Sequence, residues 1–170
     1  MAAAAFASAW ELLQTALKLR GPERFTRNYQ AAILLNSAAA EGAAYAGDLT
    51  AMEALVAEVE REGRSLLDKA RAREVMMRAY IAKGRGPDAL RLGRKHLQEL
   101  GESIPEKLTP AVLLIELVRI TCVLGRRTAQ DLLQLPPMSD PAKQAAMRTY
   151  ALLTAYAYET APMLTLPLGH

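Results

Sequence analysis

Apolar side chains recur every three or four positions along almost the whole chain, and this spacing predicts helices nearly from end to end. Phe6, Trp10, Leu13 and Leu17 form one face of a first helix, which Gly21-Pro22 should end. A second helix is expected from Glu23 or Arg24 to Ala46, with Tyr29, Ile33 and the alanines that follow as its buried stripe. Gly47-Asp48 makes a short turn, and Met52, Leu55, Val56 and Val59 mark a third helix up to Gly63. Ser65, with Asp68 three residues later, reads as a capping box that opens a fourth helix, whose face is Ala72, Val75, Met76, Ala79 and Tyr80. The glycines and proline of 84–87 break it, and a fifth helix presents Ala89, Gly93, Leu97 and Leu100 before Gly101. Thr109-Pro110 starts the most apolar helix, over 111–124. Gly125 ends that one, and Thr128 begins a short seventh.

Pro136 and Pro137 then stop the chain, because each lacks an amide donor and its ring disfavours a helical residue before it. Asp140 offers a side-chain oxygen to the free amides of a new helix, and Pro141 fits its first position, where no donor is needed. A last helix from about Pro141 to Glu159 follows.

The two turn glycines, Gly47 and Gly84, stand 37 residues apart, each between two helices of roughly four turns. That interval is close to the tetratricopeptide period. Tyr80, Gly84 and Ala89 fall at the relative spacing of three consensus positions of that repeat: a tyrosine, the turn glycine and a small residue where paired helices touch. Only a small side chain lets the two helices approach closely there. The first pair keeps the turn but carries Ala43 and Met52 at the flanking positions, so the repeat is degenerate.

Composition agrees with helix packing. Hydrophobic residues are 51% of the 170, with aromatics only 5% and alanine supplying much of the rest. A sheet protein would hold more β-branched and aromatic residues. The expected class is all-α, a tetratricopeptide-like α-solenoid of antiparallel helix pairs. One helical repeat domain covers 1–170: an N-terminal helix (1–22), two degenerate helix-pair repeats (23–101) and C-terminal helices (109–168). The apolar segment 111–124 includes Glu116 and Arg119 and is too short to span a bilayer, so it reads as a buried helix. The alanine-rich start lacks a basic leader and runs straight into Trp10, which argues against an export signal. With Cys122 as the single cysteine, no internal disulfide exists and a cytoplasmic location is expected.

Charge is uneven. Residues 61–95 hold eleven Lys/Arg against Glu62, Asp68, Glu74 and Asp88, a surplus of seven. Such a surplus suits an anionic partner, nucleic acid included, if Arg71, Arg78, Arg85 and Arg91 share one exposed stripe. The simpler reading is a solvated face on two helices, since stacking aromatics are not interleaved. Catalytic chemistry finds little support. His96 and His170 are the only histidines, so neither a zinc set nor a nucleophile and base pair emerges. Cys122, in the most apolar segment, reads as a core residue, and His96, followed by Leu97, as a surface histidine without the acidic neighbour of a phosphoacceptor. Gly84-Arg85-Gly86 lacks the Gly-Lys-Ser/Thr of a phosphate loop. Glu53, Glu58 and Glu60 read as a solvated face, and Met52, Met76, Met77, Met138 and Met147 as core filler. No catalytic, cofactor-binding or metal-ligating residue is assigned. The assigned positions are structural: Gly47, Tyr80, Gly84, Ala89, Pro136, Pro137, Asp140 and Pro141.

Three segments together resemble the tetratricopeptide-like helical region of very large bacterial signalling proteins, which join a serine/threonine kinase, an AAA or STAND-type ATPase, sensor domains and often a histidine kinase. They are 38–67, with Ala-Ala-Glu41 before Gly47-Asp48-Leu49-Thr50-Ala51-Met52 and then Leu66-Leu67-Asp68-Lys69; 80–105, from Tyr80-Ile81-Ala82-Lys83-Gly84 to Ile104-Pro105; and 131–148, the most specific, followed by Tyr156 and Ala161-Pro162. The resemblance spans roughly 10–168. It implies a non-catalytic scaffold or linker that contacts neighbouring ATPase, sensor or kinase domains, or a peptide in the solenoid groove. Met163-Leu164 departs from the acidic-Leu pair of relatives, and the sequence stops at His170 where relatives continue, which fits a stand-alone remnant or a partial reading frame. Solenoid ends without caps expose apolar faces, so dimerisation through the ends is also expected.

Overall fold

Four of the long helices start where a short polar side chain offers an acceptor to the first free amides. A computed structural model describes residues 2–102 and 136–160, with positions 114, 115, 117, 118, 121, 122, 125, 131 and 134 between them. It contains α1 (Ala2–Arg20), α2 (Arg24–Arg27), α3 (Tyr29–Ala46), α4 (Leu49–Glu62), α5 (Leu66–Ala82), α6 (Gly86–Glu99) and α7 (Pro141–Thr160). No strand occurs among the described residues, and the all-α class holds.

The second expected helix is divided. Asn28 sits at φ −151° and ψ 87°, outside helical space, and its side chain accepts from the Ala31 amide. It therefore closes α2 and caps α3, because asparagine satisfies a free N-terminal amide better than it sustains a helix interior. Asp48 caps α4 in the same way, accepting from Ala51 at 2.9 Å. Ser65 and Asp68 form the full capping box, and Asp140 accepts from the Ala142 amide at 2.8 Å. Gly47 and Gly84 take φ of 85° and 73°, left-handed values that cost a side-chain-bearing residue about 1 kcal/mol or more.

Element boundaries recur with the turn spacing. α3 begins at Tyr29 and α5 at Leu66; α4 begins at Leu49 and ends at Glu62, while α6 begins at Gly86 and ends at Glu99. Packing repeats too. α5 lies on both α3 and α4, and α7 lies on both α5 and α6, while α1 covers α3. The core is built from Ala32, Ala39, Ala40, Ala43, Met52, Val56, Val59, Ala72, Met77, Ala89 and Leu97, all essentially sealed. Small residues set the spacing. A Cβ on Gly93 would stand 2.7 Å from Leu153 of α7, and one on Gly42 would stand 2.9 Å from Leu13 of α1.

Several expectations fail on burial. Phe6 is exposed and stacks on Tyr45, ring centroids 4.7 Å apart, while Trp10 of the same apolar face is buried. Met138 and Met147 are exposed, whereas Met52 and Met77 are core. Cys122 is exposed, not core. Among the described residues of this segment, Leu114, Ile115, Leu117, Val118 and Cys122 are all exposed, where a buried helix is expected. The remaining positions of 109–130, the Thr128 start and the tail from Ala161 to His170 lie outside the described residues. No helix among the described residues is long and apolar enough to cross a membrane.

Ala89 is fully buried where α6 meets α5. Ala89→Leu should overpack this contact and lower stability by about 1 to 3 kcal/mol, read as a lower midpoint of thermal unfolding by circular dichroism. An unchanged midpoint would show that α6 does not seat on Ala89.

Candidate functional site

Two buried polar knots hold the helices in register. In the first, Arg24 of α2 donates from Nε to Asn36 Oδ1 of α3 at 2.9 Å and from a terminal nitrogen to the Gly21 carbonyl at 2.8 Å, and also pairs with Glu58 of α4. Asn36 Nδ2 donates to the same Glu58 at 2.6 Å. In the second, Arg73 of α5, with 4% of its side chain exposed, forms a two-point pair with Glu60 of α4 and reaches Glu99 of α6 at 2.5 Å. Arg73 also donates to His96 Nδ1 at 2.9 Å. A guanidinium only donates, so Nδ1 is the acceptor and the ring proton resides on Nε2.

His96 is therefore a sealed, neutral imidazole and not a surface histidine. Burial, and then the positive charge of Arg73, press its pKa down to about 4, with Glu99 and Glu60 opposing. Burial alone would raise the Glu60 carboxyl, but the bonds and charge of Arg73 outweigh it and hold it below the usual carboxylate range. The three acids of α4 expected on a solvated face all bond across helices instead: Glu58 and Glu60 in the knots, and Glu53 to the Tyr80 hydroxyl at 2.9 Å and to Arg85 at 2.9 Å.

Two neighbouring recesses flank α5, one shared with α3 and the other with α7, and together make up what we call the groove. One recess of about 190 Å³ is lined by Ala44, Val75, Ala79 and Ala82 together with Glu41, Tyr45 and Arg78, and Val75 and Ala79 are its buried members. A second of about 380 Å³ is lined by Glu74, Arg78, Arg148, Ala151, Leu152 and Ala155. Arg78 lines both, which makes them neighbours along α5. The charges are layered. Arg148 has 52% of its side chain exposed and pairs at 2.8 Å with Glu74, which has 9% exposed. Arg71 and Arg78 share Glu41, at 3.2 Å and 3.5 Å, and both are more exposed than that carboxylate.

The assigned positions lie in turns, helix contacts and a helix start. Gly47 and Gly84 form the turns and Ala89 the close contact, while Tyr80 is buried, bonded to Glu53 and covered by Arg85 at 4.1 Å from its ring. Pro136 and Pro137 lie in non-helical chain before the Asp140 cap, and Pro141 is the first residue of α7. None of the eight lines either of these recesses; Tyr80 lines a different one, about 300 Å³, with Arg85, Asp88, Arg91 and Lys95. The basic surplus is not one stripe. Arg71 and Arg78 converge on Glu41, while Arg85 and Arg91 converge on Asp88. Among the described residues no group of three or more His, Cys, Asp or Glu is able to hold a metal ion. No protein-family model, no curated protein and no solved structure matches the chain.

The groove and the Arg73 knot escaped the sequence reading. A signal existed for the knot: Asn36 and Arg73 are one repeat interval apart, both polar within otherwise apolar faces. Val59 and His96 are related by the same interval, and both are sealed.

A pH dependence follows. An unfolded histidine titrates near 6.5, above the folded value of about 4, so the unfolded chain takes up the proton first. The His96 contribution is complete above the unfolded pKa and is lost as pH falls from about 6.5 to about 4, by up to roughly 3 kcal/mol. The Glu60 carboxylate adds a loss at still lower pH, as it protonates. Urea unfolding at stepped pH should show declining stability across the first window in the native chain and a flat response in His96→Leu. An equal decline in both would show that His96 is not the titrating group.

Proposed function

We propose that this chain is a non-catalytic helical scaffold, a tetratricopeptide-like α-solenoid of antiparallel helix pairs, that holds other protein segments or domains. The observation that carries this reading is the recurrence of helix starts and turn glycines at the turn interval, together with a repeated packing pattern: α5 stands to α3 and α4 as α7 stands to α5 and α6. Such stacking leaves one continuous face from successive first helices, and solenoids recognise partners on that kind of surface. The groove over α3, α5 and α7 is the surface of this type here.

The setting we propose is a linker in an ATPase-coupled bacterial signalling kinase, with the neighbouring ATPase, sensor or kinase domains as its partners. This setting rests on the resemblance of 38–67, 80–105 and 131–148 to the helical region of those proteins. The alternative of a basic module for nucleic acid loses ground because the arginines of 61–95 are divided among separate carboxylates, Glu41, Glu53 and Glu60 on other helices and Asp88 within α6.

Reading the genomic frame on both sides tests the setting. Continuation into a phosphate-loop domain upstream and a sensor or kinase domain downstream is expected, whereas stop codons on both sides would refute the linker role. The scaffold role is tested separately by titrating the neighbouring domains, produced on their own, against the chain. Saturable binding abolished by Ala79→Trp, which fills the groove floor, is expected; binding indifferent to that change would place the contact elsewhere.

A further inference from the structure

The charge layering of the groove specifies its occupant. We infer that the groove takes an acidic amphipathic segment of a partner protein, with apolar side chains on the alanine floor and carboxylates beside Arg78 and Arg148. This rests on the scaffold reading and deepens it.

The floor is apolar and shallow. Ala44, Val75, Ala79 and Ala82 in one recess, and Ala151, Leu152 and Ala155 in the next, present methyl and methylene groups that suit leucine-sized side chains. Tyr45, more than half exposed and backed by the Phe6 ring, provides an aromatic shelf at one edge. The electrostatics then choose among apolar segments. The acids of the groove lie low: Glu74 is 9% exposed and Glu41 27% in their side chains, whereas Arg78 is 44% and Arg148 52% exposed. What an incoming segment meets first is guanidinium. Two arginines, Arg71 and Arg78, also share the single carboxylate of Glu41, so one positive charge there is left without an equal partner. Each guanidinium has five donors and uses only some of them within the protein, and with about half of each side chain exposed the others remain for a second acid. A basic segment would meet the same arginines as repulsion, which supplies specificity as well as attraction.

The test uses the full chain and fluorescently labelled helical peptides of about 15 residues, long enough to hold a helix on a surface. All carry leucine at helical i, i+3 and i+4 spacing; the remaining positions are glutamate in one, lysine in a second and glutamine in a third. Anisotropy titration should give saturable binding of the glutamate peptide, weakened by salt, and no saturation with the lysine peptide. Arg78→Gln should weaken the glutamate peptide about three- to fivefold, the size of one exposed ion pair. Arg91→Gln, a cation outside the groove, should leave it unchanged. Thermal melts of each variant confirm that folding is retained, and Tyr45→Ala, at an exposed site, supplies a second groove variant should Arg78→Gln fold poorly.

Equal loss with Arg91→Gln and Arg78→Gln would overturn the proposal, since net charge and not the groove would be responsible. Tighter binding of a single-stranded oligonucleotide that displaces the peptide would overturn it in favour of nucleic acid. Binding of the glutamine or lysine peptide as tightly as the glutamate one, and sensitive to Ala79→Trp, would refute the acidic partner yet leave the scaffold reading intact. Failure of all three peptides to bind would refute the proposal, while the scaffold reading would still stand or fall on the neighbouring-domain titration.

Discussion

Arg73 is the residue on which the arrangement of the helices turns. A guanidinium with so little exposure is costly to hold unless carboxylates come to it, and here they come from both sides, Glu60 on α4 and Glu99 on α6. The requirement is geometric as well as electrostatic. α5 has to lie where one side chain reaches both acids and the His96 ring together, and few rotations of α5 between α4 and α6 allow it. Apolar packing by alanine and methionine tolerates sliding far better than a two-point ion pair does. The knot therefore selects one register among several that burial alone would accept. Breaking it would leave Glu60 and Glu99, each about a third exposed, without the cation that draws them together.

His96 belongs to the same constraint. Its Nδ1 accepts from Arg73, so a proton there would place two cations in contact, and burial already disfavours the charged ring. The imidazole works as a neutral acceptor that uses up one more of the guanidinium donors. In the preceding pair the matching sealed position is Val59, and the matching buried polar residue is Asn36 with its Glu58 and Arg24 partners. Both helix pairs thus pin a first helix to a neighbour through a buried polar side chain, but with different chemistry. An amide and an arginine brought in from α2 serve one, and an arginine of α5 itself serves the other.

Helix existence and most ends were legible in the sequence because their causes are local. Gly47, Gly84, the Ser65 and Asp68 box and the Asp140-Pro141 start each act within a turn of their own position. Asn28 was missed because a cap inside an apolar-periodic stretch looks like an ordinary exposed position. The polar errors share another cause. Glu53, Glu58, Glu60 and His96 occupy positions that a helical wheel assigns to solvent or leaves ambiguous, and only the neighbouring helices, distant in sequence, give the three acids their partners and bury His96. The same holds for the groove, whose sides come from α3, α5 and α7 and which has no signature within any one of them.

Knots and groove divide the charged residues between two tasks. Arg73 and Arg24 turn inward and spend most of their donors on fixed partners, so they stabilise register and present little to a ligand. Arg78 and Arg148 lie on the outer face of α5 and α7, each anchored by an acid beneath it. That anchoring limits the freedom of two long side chains before any partner arrives, and a side chain already held loses less entropy on binding than a free one. The helix that carries Arg73 also carries Arg78, five residues on. Fixing the rotation of α5 through the first necessarily sets where the second stands in the groove, so the interior knot determines the pattern of charge that the outer surface can offer.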